Sequence, residues 1–282
     1  MSDERARRAW QCRGVALDLG RPRVMGILNV TPDSFSDGGP YADPAGAIAH
    51  GHAMHAAGAD IVDVGGESTR PGAADVPVDV EIARVVPVVA ALARAAPLVS
   101  VDTSKPQVMA AAIDAGAAIV NDVRALREPG ALEVVARTGA AVCLMHMQGE
   151  PRTMQHAPAY GDVVAEVEAF LLERAAHCVA AGIARERIAI DPGLGFGKTL
   201  AHNLALLNAL PRLAAHGYPV LVGYSRKSSL GTLTGRTVDQ RLGASLGAAL
   251  AAVARGASVV RVHDVRETVD ALKVWCAVRD AG

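Results

Sequence analysis

Short apolar runs alternate with longer alanine-rich segments along the whole 282-residue chain. A nearly continuous apolar run is typical of a parallel strand that helices cover on both faces. Eight runs predict strands: Val24–Val30, Asp60–Val64, Leu98–Asp102, Ala118–Asp122, Ala141–His146, Ile188–Asp191, Val220–Gly223 and Ser258–His263. The clearest predicted helices are Pro44–Ala57, Lys105–Ala115, Val163–Ala181 and Val238–Arg255. This alternation favours a closed (β/α)8 TIM barrel, a fold of about 250 residues.

An open, doubly wound sheet is the alternative, but it usually has fewer strands and needs a point where the strand order reverses. Without a linker or low-complexity segment, the chain is expected to form one barrel domain over residues 21–282. Residues 1–20 are expected to be a partly disordered lead-in, which is charged and lacks the apolar core of a signal peptide. Four scattered cysteines favour a reducing compartment, the cytoplasm. The net charge of −1 argues against non-specific binding to nucleic acid or membranes.

Polar or ionisable residues follow the apolar part of every predicted strand. They are Asn29, Asp63 with Glu67, Asp102, Asn121, His146, Asp191, Ser225-Arg226-Lys227, and Arg261 with His263. In a TIM barrel the carboxyl ends of the strands face the active site. Helix capping explains an Asp or Asn at such a place. It does not explain Lys227 or Arg261, because cations are disfavoured at a helix N-terminus unless an anion binds there. The pattern therefore predicts a ligand site at this end of the barrel.

Two polar loops that contain glycines follow the first and second predicted strands, at residues 31–40 and 65–72. Both are too long to be minimal connections. We expect them to be mobile lids that close over a substrate.

Two motifs are set aside. Residues 193–199, GLGFGKT, resemble a phosphate-binding P-loop, but Pro192 stands where that motif needs its first glycine. A glycine-rich turn that lets the backbone approach a ligand is the preferred interpretation. Only His52 and His55 of the triplet His50, His52 and His55 share a helix face, and no carboxylate is near in sequence, so a solvated helix surface is favoured over a metal site.

The chain resembles the bacterial dihydropteroate synthases from about Val24 to its C-terminus. Eight stretches carry the resemblance in order: MGILNVTPDSFSDGG (25–39), DVGGESTRPGA (63–73), SVDTSKP (100–106), IVNDV (119–123), LMHMQGEPRTMQ (144–155), IDPGLGFGKT (190–199), LVGYSRKSSLG (221–231) and RVHDVRET (261–268). The resemblance implies a homodimeric, monofunctional TIM-barrel enzyme that requires Mg²⁺ and is the target of sulfonamide drugs. It implies that 6-hydroxymethyl-7,8-dihydropterin diphosphate and p-aminobenzoate are condensed to 7,8-dihydropteroate and diphosphate.

The resemblance also assigns roles to residues. The pterin-binding residues are expected to be Asp102, Asn121, Met145, Asp191, Phe196, Lys227 and Arg261. The diphosphate is expected at Asn29, Arg261 and His263, with Asn29 also binding the metal. The p-aminobenzoate site is expected at Ser34, Phe35, Thr69, Arg70, Pro71 and Ser225. Asp102, Lys227 and Arg261 are expected to act in catalysis. Tyr224 departs from the smaller residue expected there and bears on the shape of the p-aminobenzoate pocket.

The residues suit this chemistry independently. Asp102 and Asp191 can accept hydrogen bonds from the N–H groups of a pterin, and Asn121 can both donate and accept. A nearby carboxylate, expected to be Asp102, would stabilise a positive charge on the pterin methylene, so cleavage is expected to precede attack by the arylamine. Two alternatives stay open: a pterin-dependent methyltransferase, which should lack the Arg261–His263 anion pocket, and a non-catalytic pterin-binding protein.

Overall fold

The computed structural model describes residues 9–31, 44–68, 74–95, 98–150, 153–155 and 157–281. A hairpin of β1 (Ala9–Cys12) and β2 (Val15–Asp18) precedes the barrel. The eight barrel strands are β3 (Arg23–Asn29), β4 (Ile61–Gly65), β5 (Leu98–Asp102), β6 (Ile119–Asp122), β7 (Ala141–Met145), β8 (Ile188–Asp191), β9 (Leu221–Val222) and β10 (Val259–Val262).

The eight strands pair in parallel in the order β8-β7-β6-β5-β4-β3-β10-β9. The two edges of this sheet then meet, because Ile190 of β8 forms a parallel bridge with Val220, which directly precedes β9. The Ile190 N–H donates to the Pro219 carbonyl at 2.9 Å. The predicted (β/α)8 barrel is confirmed, and the open doubly wound sheet is excluded.

Helices surround the strands. In chain order they are α1 (Pro44–Ala56), α2 (Val78–Ala93), α3 (Pro106–Asp114), α4 (Ala131–Thr138), α5 (Val163–Ala180), α6 (Leu200–Asn208), α7 (Leu210–Ala214), α8 (Ser228–Thr234), α9 (Leu242–Val253) and α10 (Val265–Asp280). The predicted helix Val238–Arg255 is divided into a 3-10 turn, Val238–Gln240, and α9. Within the described ranges, no helix is both long enough and apolar enough to cross a membrane.

The strands build two apolar layers because successive side chains of a strand point to opposite faces of the sheet. Outward residues such as Val62, Val101 and Val120 pack with the helices in the larger core cluster. Inward residues such as Met25 and Ile119 fill the amino-terminal half of the barrel in a second cluster.

The β1–β2 hairpin belongs to this second cluster. Trp10 and Cys12 are fully buried there, and Trp10 Nε1 donates to the Arg187 carbonyl at 3.0 Å. Arg13 and Gly14 both have positive φ, as a two-residue turn of type I′ requires. Residues 1–20 are predicted from the sequence to be a partly disordered lead-in, whereas residues 9–18 of this segment form a hairpin that packs on the barrel. Strands of four residues are too short for their alternation to stand out in a sequence.

We predict that Trp10→Ala lowers the free energy of unfolding by about 3–5 kcal/mol, because it removes a large, fully buried side chain. Urea denaturation at neutral pH measures this change. Val15→Ala is the matched control, since Val15 lies on the same hairpin and is 50% exposed. Equal, small losses in the two variants would contradict a structural role for the hairpin.

Candidate active site

A cavity opens at the carboxyl ends of the barrel strands. All seven residues that the sequence analysis assigned to pterin binding line it together. The lining consists of Asp102, Asn121, Val123, Met145, Asp191, Gly193, Leu194, Phe196, Gly223, Lys227 and Arg261. Asp102, Met145 and Asp191 are the last residues of β5, β7 and β8. The predicted convergence of polar residues near the strand ends is therefore confirmed for the five that line the cavity, namely Asp102, Asn121, Asp191, Lys227 and Arg261.

Not every polar residue near a strand end reaches the cavity. Glu67 accepts from the Val76 N–H at 2.8 Å and pairs with Lys105 at 3.1 Å, so it fixes the loop after β4. His146 is buried and contacts Lys198.

Arg261 is the centre of a buried ionic network in the cavity wall. Its Nε donates to Asp63 Oδ2 at 2.6 Å, and its Nη2 donates to Asp102 Oδ2 at 2.5 Å. Asn121 Nδ2 donates to the same Asp63 oxygen at 3.0 Å. Burial opposes the charge of Arg261, but Asp63 and Asp102 outweigh it and hold the pKa of the guanidinium above its usual value. Asp63 thereby sets the positions of two predicted pterin-binding residues.

Asp63 was named among the polar strand-end residues but was assigned no role in the site. It is fully buried in the middle of β4, and it lies two positions after the inward-facing Ile61. A carboxylate on the inner face of a buried strand needs a fixed partner, because an unpaired buried charge is strongly unfavourable. The inward position of Asp63 in β4 was therefore the sequence feature that could have indicated its part in the site.

The two carboxylates that line the cavity are poised to titrate near neutral pH. Burial raises the pKa of Asp102 to about 7, although Arg261 acts in the opposite direction. Burial also raises the pKa of Asp191 to about 6, opposed by a hydrogen bond from the Gly193 N–H and by Lys227. Perturbed carboxyl groups in a cleft are typical of functional sites.

The opposite side of the cavity is apolar and carries one cation. Met145 and Phe196 form a small buried cluster with Val123 and two further methionines. Lys227 Nζ lies 3.9 Å from the centroid of the Phe196 ring, within the range of a cation–π interaction. A flat apolar wall beside donors and acceptors suits an aromatic heterocycle.

The glycines of the turn after β8 make close approaches that no other residue could make. All three have positive φ. A Cβ at Gly193 would lie 1.9 Å from the His146 carbonyl oxygen, and one at Gly197 would lie 2.5 Å from the Gln148 carbonyl oxygen. A Cβ at Gly195 would lie 2.8 Å from Cδ of Lys227. These close approaches admit the protein's own chain and the side chain of Lys227. Gly193 also lines the cavity, so a backbone approach to a ligand at this turn stays a prediction.

The residues predicted to bind diphosphate lie beside the cavity. His263 Nδ1 is 3.1 Å from Ser225 Oγ. Burial, helped by Arg226 and Arg261, lowers the pKa of His263 to about 4, so the ring is neutral at pH 7. Asn29 ends β3 next to Gly65: a Cβ at Gly65 would lie 3.8 Å from Asn29 Oδ1 and 3.5 Å from Asp102 Cβ. Asn29 and Asp102 therefore lie at the same mouth of the barrel.

Much of the predicted p-aminobenzoate site lies outside the described residues, namely Ser34, Phe35, Thr69, Arg70 and Pro71. Residues 32–40 of the first predicted lid and 69–72 of the second lie outside them as well. Ser225 is described and is buried beside His263. Tyr224 belongs to the larger core cluster, where its hydroxyl accepts from Ser229 Oγ at 2.9 Å. Its side chain therefore lies in the core, and its effect on the shape of the p-aminobenzoate pocket stays a prediction.

The chain is similar to known proteins over nearly its whole length. Residues 25–263 match the family described as pterin binding enzyme. The dihydropteroate synthase of Escherichia coli strain K12 is 54% identical over 263 residues, which is 93% of each chain. A structure of the Xanthomonas albilineans dihydropteroate synthase with 4-aminobenzoic acid has 55% identity and a TM-score of 0.91, covering 96% of this chain and 98% of that one. The Burkholderia cenocepacia synthase complexed with 7,8-dihydropteroate has 50% identity and a TM-score of 0.89, covering 97% of both chains.

We predict that Asp63→Asn lowers the free energy of unfolding by about 3 kcal/mol, because it removes one partner of a buried ion pair. Asp270→Asn is the control on α10, where Asp270 pairs with Lys273 at 3.6 Å. The control should lose less, since the side chains of Asp270 and Lys273 are 68% and 73% exposed and their pairing is screened by water. Urea denaturation of both variants measures the difference. Losses of equal size would contradict a special role for the buried pair.

Proposed function

The chain belongs to the dihydropteroate synthases, a group of pterin-binding enzymes, and on that premise we propose how its residues carry out the reaction. The enzyme is a transferase of folate biosynthesis. It condenses 6-hydroxymethyl-7,8-dihydropterin diphosphate with p-aminobenzoate to give 7,8-dihydropteroate and diphosphate. The observation that carries the proposal for this chain's site is the convergence of Asp102, Asn121, Asp191, Lys227 and Arg261 on one cavity.

Asp191, Asn121 and Lys227 recognise the pterin edge. A pterin presents a row of ring nitrogens, an amino group and a carbonyl oxygen. The Asp191 carboxylate accepts from N–H groups, Asn121 donates and accepts, and Lys227 donates. The rings of the substrate lie against Met145 and Phe196. A pocket that pairs this many polar groups rejects analogues that lack them, because its own buried groups would then be left unpaired.

The charge around the cavity favours a cleavage-first substitution. Arg261 and Lys227 are the two cations among the described residues that line the cavity, and the charge of Arg261 is compensated by Asp63. The carboxyl groups of Asp102 and Asp191 then outnumber the one remaining positive charge, that of Lys227. A site with excess negative charge stabilises positive charge that develops on the pterin methylene as the C–O bond breaks. We assign the stabilisation of this positive charge to Asp102, which Arg261 holds in place. The arylamine nitrogen of p-aminobenzoate then forms the new C–N bond and loses its proton.

Departure of the diphosphate needs positive charge that the described residues supply only in part, because His263 is neutral and Arg261 is already paired. Within the described part of the chain, no group of three or more His, Cys, Asp or Glu could hold a metal ion. The amide oxygen of Asn29 fits Mg²⁺, which commonly binds through one or two protein oxygens together with substrate phosphates and water. When bound, Mg²⁺ neutralises charge on the leaving group. Asn29, Arg261 and His263 orient the diphosphate.

For p-aminobenzoate we propose Ser225 together with Ser34, Phe35, Thr69, Arg70 and Pro71. The same site is proposed to bind sulfonamides. The complex of the Xanthomonas albilineans synthase with 4-aminobenzoic acid supports the choice of substrate.

We further propose that the enzyme is a cytoplasmic homodimer. Its four cysteines are free, as in proteins of a reducing compartment. Exposed apolar side chains on the segment from α8 to α10 support a subunit contact, among them Leu233, Val238, Leu242, Val274 and Val278.

Turnover with both substrates, followed by diphosphate release, tests the function. We expect Mg²⁺-dependent release in the wild-type protein and a loss of about 100-fold in kcat in Asp102→Asn, with the fold intact. Asp114→Asn, an exposed change at the end of α3, is the control and should keep full activity. Absence of turnover in the wild-type protein would favour the non-catalytic pterin-binding alternative.

Pterin binding should depend on pH through Asp191. Its pKa is raised to about 6, and its proposed role as an acceptor needs the carboxylate, so affinity should fall as pH drops through about 6. Calorimetric titration with 6-hydroxymethylpterin between about pH 5 and 8 measures the profile. In Asp191→Asn, binding should be weaker throughout and the fall near pH 6 should disappear. An unchanged profile in that variant would assign the pH dependence to another group.

A further inference from the structure

Lys198 is a buried cation that the proposed reaction does not use. It ends the glycine-rich turn after β8 and is 3% exposed. Its Nζ lies 3.0 Å from His146 Nδ1, 3.2 Å from the His146 carbonyl oxygen and 2.9 Å from the Phe196 carbonyl oxygen. An ammonium group has three donors, and three acceptors on uncharged groups surround this one.

These acceptors belong to the two segments that form the apolar wall of the cavity. His146 directly follows Met145 at the end of β7, and Phe196 lies in the turn after β8. The side chains of Met145 and Phe196 line the cavity. One ammonium group therefore joins the backbones behind both wall residues, which come from two different strands.

His146 is held in one ionisation state and one orientation. Because an ammonium can only donate, Nδ1 must accept, and the ring proton lies on Nε2. Burial, with a contribution from Lys198, lowers the pKa of His146 to about 3. The ring packs against the edge of Phe170, with centroids 5.0 Å apart.

A second contact holds the same turn. Tyr160 donates from its hydroxyl to the Gly197 carbonyl at 2.8 Å. Because Lys198 donates to the Phe196 carbonyl, two consecutive carbonyl groups of this turn are held by side chains. The position of the Phe196 ring matters for a further group, because Lys227 lies over it.

Burial of a lysine is unfavourable unless its donors are satisfied. Burial lowers the pKa of Lys198 to about 7, and Asp191 acts in the opposite direction. An apolar side chain of similar size would fill the space without that penalty. When Lys198 is protonated, its three hydrogen bonds are charge-assisted and directional, so they fix positions more sharply than apolar packing does.

We propose that Lys198 is a positioning residue for the pterin pocket: its hydrogen bonds to His146 and Phe196 set the place of the Met145–Phe196 wall against which the pterin rings bind. The proposal rests on the assignment of Met145 and Phe196 to the pterin. It predicts a selective effect, because Lys198 bonds to His146 and Phe196, whereas Ser225, the described residue proposed for p-aminobenzoate, contacts His263.

Lys198→Met tests the proposal, since it removes the donors and keeps an unbranched side chain of similar length. We expect the Kd for 6-hydroxymethylpterin and the KM for the pterin diphosphate to rise about tenfold, and the KM for p-aminobenzoate to stay within about twofold. Lys273→Met is the matched control, because the side chain of Lys273 is 73% exposed on α10. It should leave all constants unchanged.

Phe196→Ala separates this proposal from the pterin assignment. If Phe196→Ala leaves pterin binding unchanged, the assigned site is wrong. If Phe196→Ala weakens binding and a folded Lys198→Met does not, only the role of Lys198 is refuted. Should Lys198→Met fail to fold, Lys198→Gln, which keeps one amide donor, is measured in the same way. A selective rise in the pterin constants supports the proposal, and an equal loss for both substrates, or a lower Tm alone, overturns it.

Discussion

The site depends on the burial of one positive charge between two negative ones. Arg261 is 198 residues from Asp63 and 159 residues from Asp102 along the chain, yet its guanidinium contacts both inside the barrel. The contact forms only when β10, β4 and β5 occupy their places in the closed sheet. Because removing one member leaves an uncompensated charge in the interior, the three residues act as a unit. That unit also fixes Asn121 and holds Asp102 in the wall of the cavity.

The two ends of the barrel have separate tasks. Trp10 and the inward residues of the amino-terminal half form an apolar plug that stabilises the fold. Two residues further along the strands, the inner face becomes polar, as in the step from Ile61 to Asp63 and from Val259 to Arg261. Lys198 joins the segments after β7 and β8, which form the apolar wall of the cavity. This division of stability and chemistry between the two ends is typical of TIM barrels.

Much of this arrangement could be predicted from the sequence. Eight apolar runs separated by helical segments indicated the barrel, and polar residues such as Asp191 and Arg261 at the strand ends indicated the site. The hairpin at residues 9–18 escaped notice because its two strands have only four residues each. The inward position of Asp63 indicated that it needs a partner, but not that the partner is Arg261, 198 residues away. The contact of Lys198 with His146 could likewise not be predicted, because the two residues are 52 positions apart. The glycines near Phe196 predict a close approach of the backbone, but their spacing alone does not predict which protein atoms lie against them, such as the His146 carbonyl oxygen at Gly193.

A crystal structure of this chain with a bound pterin and diphosphate is the most direct test that Arg261 is held in place before the substrate arrives. We predict that Arg261 Nε stays within about 3.2 Å of Asp63 Oδ2 while the pterin lies between Asp191 and Phe196. A guanidinium that leaves Asp63 to follow the diphosphate, or a pterin bound away from Asp191, would contradict the account.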